Sequence, residues 1–392
     1  MLKRILFRTL IYGCAIAAHG QAWTNIGTPN GGAMGFSSLS ASQTWICTSS
    51  GRIYFHDGAT MSVQTNLAQA TNLSLQAIHA VDAQHVWATG YAYTPQQGRI
   101  YFYNGTHWTL VYTMTNTGVN SILRDIYAAS TSHVWACGNP AWILASTNGG
   151  QTWTTQNTNS GSHAWYVIDG VDAAHVWVAG LDTPSQNAQI MSWDGANWTT
   201  NYSLDLGGAP FDAMDVATAN DIWAVGGTNG TVVRFRNGAW AFSPALNSTN
   251  SNSRTISATS CGDAWACAFG YGLFMFNGTG WTAETNLSQN IWRVGASPWQ
   301  VFASDLNLGI YMRALDPEME RVETGVGFSW RSVPGRTYRV EWTDDPLGNN
   351  WRAADQITAG GWTTYWGDIG DGTTNRPRPS NSVERLYRIV QP

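Results

Sequence analysis

Lysine is almost missing from this chain. Of the 20 basic residues in 392, only Lys3 is a lysine, and the others are arginines. Lysine Schiff-base chemistry and the lysine of a phosphate-cradling P-loop are therefore excluded. Charged residues of all kinds reach 11%, against about a quarter in ordinary domains. The formal charge is −5, so no strongly basic face can form. A nucleic-acid partner, which needs such a face to displace counterions from phosphates, is not expected. Glutamate is sparse as well: Glu284 is the only one between residues 22 and 315. No run after the first twenty residues is long and apolar enough for a transmembrane helix. What is abundant is tryptophan, with 22 copies, and glycine, with 41 and no collagen period. That balance belongs to a packed protein rather than a disordered one.

The first twenty residues read as a secretory signal peptide. Lys3, Arg4 and Arg8 make a positive start, Thr9 to Ala18 a short apolar stretch, and Ala18-His19-Gly20 a small-residue cleavage site. Ile11-Tyr12-Gly13-Cys14 leaves a lipid-modified Cys14 as the alternative. Removing the leader takes the charge to about −8.

The remainder repeats. His85-Val86-Trp87-Ala88, His133-Val134-Trp135-Ala136 and His175-Val176-Trp177-Val178 are nearly one word, continued by Asp221-Ile222-Trp223-Ala224 and Asp263-Ala264-Trp265-Ala266. Gln43-Thr44-Trp45-Ile46 precedes them, and Gln300-Val301-Phe302-Ala303 ends the series. The anchors lie 42, 48, 42, 46, 42 and 37 residues apart, which makes seven units. Asn104-Gly105, Asp194-Gly195, Asn237-Gly238 and Asn277-Gly278 lead to Trp108, Trp198, Trp240 and Trp281. Asn-Gly and Asp-Gly between apolar runs signal tight hairpins with positive φ at both central residues. Each unit therefore reads as four short strands, in the second unit Leu75–Val81, His85–Gly90, Arg99–Tyr103 and Trp108–Thr113. Four strands at this period are propeller blades. The seventh unit lacks a second Trp, whereas Ala22-Trp23-Thr24 matches Asn197-Trp198-Thr199 and Gly280-Trp281-Thr282. The first mature strand is thus expected to complete the last blade and cover its open edge.

Residues 22–315 resemble bacterial secreted β-propellers of the Asp-box, tryptophan-rich kind. Ser146-Thr147-Asn148-Gly149-Gly150-Gln151-Thr152-Trp153 is close to a full box, with Asn148 in the usual Asp position, and only the third unit carries it. The resemblance implies an all-β, seven-bladed propeller, a fold that hosts enzymes, lectins and scaffolds alike. The expected organisation is a signal peptide at 1–20, a propeller at 21–315, a charged linker at 316–326 and a β-sandwich at 327–392. The last is similar to fibronectin-III-like modules. Its strands are expected at Gly327–Arg331, Tyr338–Thr343, Trp362–Trp366 and Arg385–Val390, with Tyr inward and Arg outward.

Several residues invite a chemical reading that the repeat removes. His85, His133 and His175 resemble a metal triad, but Asp221, Asp263, Gln43 and Gln300 fill the same slot, and Asp or Ser recurs three residues before it. This reads as a turn, with no metal expected. Cys47, Cys137 and Cys267 sit two residues after an anchor in non-adjacent units, and Cys261 is too far along its strand from Cys267 to bridge it. Free thiols are expected. Glycoside hydrolysis needs two inward carboxylates, for which Asp125, Asp169, Asp212 and Asp215 are the candidates outside repeated turns. A sialidase-like site needs three converging arginines, of which Arg124 and Arg254 supply two. Eight Asn-x-Ser/Thr sequons, two of them turn asparagines, are read as unmodified.

Function is sought where the repeat breaks. Eleven residues before each anchor stand Met34, Gln76, Arg124, Tyr166, Asp212, Arg254 and Ile291. The connections between second and third strands also vary: Tyr91-Ala92-Tyr93-Thr94-Pro95, Asn139-Pro140-Ala141-Trp142, Leu181-Asp182-Thr183-Pro184 and Phe269-Gly270-Tyr271. Both sets belong to one face. Arg124, Asp125, Trp142, Trp165, Tyr166, Asp212, Arg254 and Trp292 are therefore the candidate ligand-binding residues, since aromatic faces beside Asp and Arg suit sugars. The expectation is an exported, non-catalytic recognition or adhesion module without a cofactor. It would bind a carbohydrate, a cell-surface polymer or a protein. A sialidase-like hydrolase and a purely structural surface protein are the alternatives.

Overall fold

Asn104 shows how one hairpin of the repeat is made. Its Oδ1 accepts the backbone N–H groups of Thr106 and His107, both at 3.0 Å, and Gly105 takes φ +92°. Asp194 does the same for Ala196 and Asn197 at 2.9 and 2.7 Å, with Gly195 at +94°. In these turns the side chain substitutes for a backbone acceptor and only the glycine is left-handed. Positive φ at both central residues, expected of all four turns, occurs at Asn237 and Gly238 (54° and 80°). There the loop has just those two residues, between Arg236 and Ala239. Asn277-Gly278 lies outside the described residues.

The structure is a computed structural model. It describes residues 22–314 except 71, 115–120, 157–162, 228–229, 245, 247–252, 259–263, 269, 277–278 and 298–299, and beyond them residues 326–331, 337–343, 352–358, 363–368 and 386–390. The chain divides into two compact units, Gln21–Leu315 and one that holds Asp316–Pro392. The first unit is built from four-stranded antiparallel sheets, seven among the described residues. In the second repeat the strands are Leu73–Asp82, His85–Tyr93, Gln96–Tyr103 and Trp108–Thr113. The middle pair runs further than the sequence suggests, so Tyr91 lies in strand pairing opposite Ser74 and Tyr93 opposite Gln96. The short strand Thr24–Gly27 pairs with Ile310–Ala314 of the last repeat, Thr24 opposite Met312. Among the described residues no helix is long and apolar enough to cross a membrane.

Neighbouring sheets pack face to face through the anchors. Trp87, Trp223 and Trp265 are fully buried, and Trp45, Trp135 and Trp177 nearly so. Each such ring buries about 150–250 Å². Phe302 continues the series in the last repeat, where its ring lies 5.5 Å from that of Phe36 in the first. The innermost strands, Ala33–Ser40, Leu73–Asp82, Ile122–Ala128, His163–Gly170, Phe211–Thr218, Ser253–Ala258 and Ile291–Ala296, also lie against one another in order. Ala33–Ser40 lies against Ile291–Ala296 as well.

The second unit contains a two-stranded sheet, Val326–Arg331 with Thr363–Asp368, and a three-stranded sheet of Arg352–Thr358, Thr337–Thr343 and Leu386–Val390. Tyr338 and Val340 are buried while the side chain of Arg339 is 40% exposed, the alternation expected of a half-buried strand. Arg352–Thr358 was not anticipated from its sequence, Arg-Ala-Ala-Asp-Gln-Ile-Thr, which carries few β-branched or aromatic residues.

Candidate functional site: a ring of bulges on the variable face

Every innermost strand carries a β-bulge at the same level. Pairing with the second strand skips one residue, which is Met34, Gln76, Arg124, Tyr166, Asp212, Arg254 and Trp292 in the seven repeats. A bulge leaves its extra residue out of the ladder and re-aims its side chain. In the last repeat the bulged residue is Trp292, not Ile291, which is fully buried. The turn before Phe302 is one residue shorter there, so the offset from the anchor is ten.

A signal for these bulges stands in the sequence, three residues after the anchor. Gly90, Gly138, Gly180 and Gly226 pair opposite the residue just before the bulge. A Cβ at any of them would collide with a backbone carbonyl, of Ser74, Ile122, Ala164 and Pro210 respectively. The recurring Trp-x-x-Gly is therefore a mark of close backbone approach.

In antiparallel sheets the start of the first strand lies beside the end of the second. The bulges thus share one end of the unit with the turns between second and third strands. Around the second to fourth repeats the side chains form a connected set. Gln76 Nε2 donates to Ser74 Oγ at 2.9 Å. The Tyr91 hydroxyl hydrogen-bonds Ser74 and Tyr93 and feels the charge of Arg124, while burial and the Tyr93 contact raise its pKa. The rings of Tyr91 and Tyr93 meet edge to face at 5.1 Å, and Tyr93 is 52% exposed. The Arg124 guanidinium lies over the Tyr166 ring, Cζ 4.5 Å from its centre. Its Nε is buried without a hydrogen-bond partner, and Arg124 forms no ion pair among the described residues.

Other candidates fall elsewhere. Trp165 is fully buried, stacked on His163 at 4.6 Å within the core between the third and fourth sheets, so it is not an exposed platform. Trp142 is half-buried against the core between the second and third sheets. Asp125 faces inward, its oxygens accepting the N–H groups of Ile168 (3.0 Å) and Ile126 (2.9 Å). Burial pushes its pKa up to about 7, opposed by these bonds and by Arg293. Asp169 accepts the N–H of Val216 at 2.7 Å and Asp215 the hydroxyl of Ser257 at 3.0 Å. Burial raises both, Asp215 to about 6, and the nearby Asp215 charge adds to the rise at Asp169. All three acids tie an innermost strand to the next sheet. Asp212 is half-buried on its bulge, and the side chain of Arg254 lies outside the described residues. Trp292 is covered by Arg293, Cζ 4.9 Å from the ring.

The repeated histidines are turn residues. His85 meets Asp82 at 2.8 Å and His175 meets Asp172 at 2.9 Å, each within one loop. His133 Nδ1 lies 3.0 Å from the Ser132 hydroxyl. Among the described residues no group of three His, Cys, Asp or Glu is placed to hold a metal ion. Cys47, Cys137 and Cys267 are buried thiols, whereas Cys14 and Cys261 lie outside the described residues.

No family model matches the chain, and no curated protein does. Solved structures do. YCF48 bound to D1 peptide aligns over 77% of this chain and 99% of its own, at 13% identity and a TM-score of 0.59. A catalytically inactive virginiamycin B lyase from Staphylococcus aureus with quinupristin aligns over 75% and 99%, at 13% and 0.60. The extracellular domain of BT4673 from B. thetaiotaomicron aligns over 86% of this chain and 47% of its own, at 14% and 0.57. At such identities the likeness is one of fold: the unit is all-β and β-propeller-like.

Proposed function

We propose that this protein is an exported, non-catalytic recognition module: a seven-bladed propeller closed by its N-terminal strand and followed by a small β-sandwich. Its ligand is a carbohydrate or cell-surface polymer held on the variable face. The observation that carries this reading is the ring of bulges. One backbone device, repeated seven times, sets Met, Gln, Arg, Tyr, Asp, Arg and Trp outside the ladder at one level of the innermost strands. The fold needs the bulge but not the residue on it, so that variety supports ligand choice.

Catalysis has less support. Asp125, Asp169 and Asp215 spend their oxygens on strand-to-strand bonds, and Glu284 is held by Arg313 at 2.8 Å. A hydrolase needs an acid and a base facing its substrate across a cleft. A second reading is peptide recognition, favoured by the fold likeness to YCF48 with its bound peptide. The test is a glycan array probed with the full chain, beside a peptide array and a panel of chromogenic glycosides. Glycan retention without chromophore release is the expected result. Chromophore release would replace the binding module by an enzyme, and retention on peptides alone would replace the ligand class.

A further inference from the structure

The set Tyr93–Tyr91–Arg124–Tyr166 has a chemistry more specific than that of a general sugar site. An arginine keeps its charge at any ordinary pH. Arg124 is one of few cations in a chain of formal charge −5, and it makes no ion pair among the described residues. Asp125, its neighbour in sequence, is turned into the strand-to-strand contact and leaves the guanidinium uncompensated. Arg293, by contrast, acts on Asp125 from the last repeat. Tyr166 holds one face of the Arg124 guanidinium by cation–π contact, which fixes the plane of the fork without occupying its in-plane donors. Tyr91 feels the Arg124 charge, and its ring braces that of Tyr93, which is 52% exposed.

We infer that this cluster binds an acidic pyranose polymer, the Tyr93 ring stacking on the sugar while the Arg124 guanidinium takes the anionic substituent, a carboxylate or a sulfate. The inference rests on the glycan reading of the same face and narrows it. A planar fork suits the two oxygens of such a group, and charge-assisted bonds of this kind are about twice as strong as neutral ones. The protein's own negative charge repels acidic polymers in general, so attraction concentrates where Arg124 stands, and it weakens with salt.

The test is calorimetric titration of the full chain with oligogalacturonate, its neutral methyl ester, and heparin oligosaccharide, at low and physiological salt. Oligogalacturonate is expected to bind at least about tenfold more tightly than its ester. Tenfold is about 1.4 kcal/mol, the scale of one charge-assisted contact. Arg124→Gln should abolish that preference and leave ester binding unchanged. Tyr93→Ala, an exposed change that leaves the fold intact, should weaken acid and ester alike. Heparin binding on a par with oligogalacturonate assigns the anion as such, and weaker heparin binding assigns the carboxylate. Should Arg124→Gln fail to fold, the acid-to-ester ratio and Tyr93→Ala decide. Equal binding of acid and ester, indifferent to Arg124→Gln, overturns the inference but keeps a glycan module. Retention of no glycan at all overturns the underlying reading too.

Discussion

Arg313 and Glu284 meet at 2.8 Å between the last two sheets, and the N-terminal strand is tied to both. Trp23 donates its indole N–H to Glu284 at 3.4 Å, and its ring lies over the Arg313 guanidinium at 4.9 Å. Arg313 belongs to the strand that Thr24–Gly27 pairs with, and Glu284 follows the outer strand of the sheet before it. The lone glutamate of the propeller region is therefore a structural counter-ion. It neutralises an arginine whose side chain is only 6% exposed.

Glu284→Gln should destabilise by about 3 kcal/mol, because it leaves the Arg313 charge buried without its partner. Deleting residues 21–28 should cost at least as much, since the strand Ile310–Ala314 would lose its hydrogen-bonded neighbour. Urea denaturation of both variants checks this. A loss under about 0.5 kcal/mol in the deletion would show that the N-terminal strand adds nothing, and one as small in Glu284→Gln would show that Arg313 needs no counter-ion.

His133→Asp should leave stability within about 0.5 kcal/mol of the parent, since the half-buried ring lies in a surface turn and ties only to local hydroxyls. The slot carries Asp in the fifth and sixth repeats, and Asp can accept the Ser132 hydroxyl that His133 Nδ1 meets. Melting curves with and without a chelator should coincide for parent and variant. A chelator-dependent drop confined to the parent would restore a metal role.

The period of the fold was readable because its anchors are large, buried and equivalent. Trp45 to Phe302 each fill the space between two sheets, so each repeat must supply one. The pairing of the first strand with the last repeat was readable for the same reason, as Trp23 stands where other repeats place an outer-strand tryptophan. Side-chain direction near the bulges was not readable. A bulge interrupts the alternation of faces, so Trp165, one residue before the bulged Tyr166, could be taken for an exposed platform when it faces the core. Asp125, one residue after the bulged Arg124, turned inward for the same reason. Repeat-breaking residues thus mark the rim, but the register shift decides which of them reach it. Tyr91 and Tyr93 were visible as a variable loop. Their place in the second strand depends on extra strand pairing, Tyr93 opposite Gln96, that no local pattern announces.

Trp165→Ala and Trp142→Ala should separate cleanly. The first empties a fully buried site and should cost about 3–5 kcal/mol. The second removes a half-buried ring from the edge of a core and should cost about 1–2 kcal/mol, as partial burial loses only part of the transfer free energy. Any loss of ligand binding in Trp165→Ala should track the fraction unfolded. Denaturation midpoints measured beside binding isotherms test this. Weakened binding at full folding in Trp165→Ala would return that residue to the site.

Asp125 should make the protein less stable as pH rises. An unfolded aspartate titrates near 3.9, whereas burial takes the native group up to about 7. Between those values the native state holds a proton that the unfolded state has released, so stability falls with pH. The contribution is whole below about pH 4 and gone above about pH 7. Asp215, raised to about 6, and Asp169, also raised by burial, act in the same direction. His79 acts oppositely, because burial lowers it to about 4 and its contribution is lost as pH falls from about 6.5. Parent and variant share that loss, so it cancels in their difference. Asp125→Asn keeps an oxygen for the Ile168 N–H and has no charge to bury. It should match the parent within about 0.5 kcal/mol at pH 4.5. At pH 8 it should exceed the parent by ~2 kcal/mol, half of what the full shift implies, because water reaches part of the side chain. Urea denaturation at pH 4.5, 6 and 8 gives the two curves. Parallel curves would mean that Asp125 is ionised throughout and that its hold on Ile168 is an ordinary charged one.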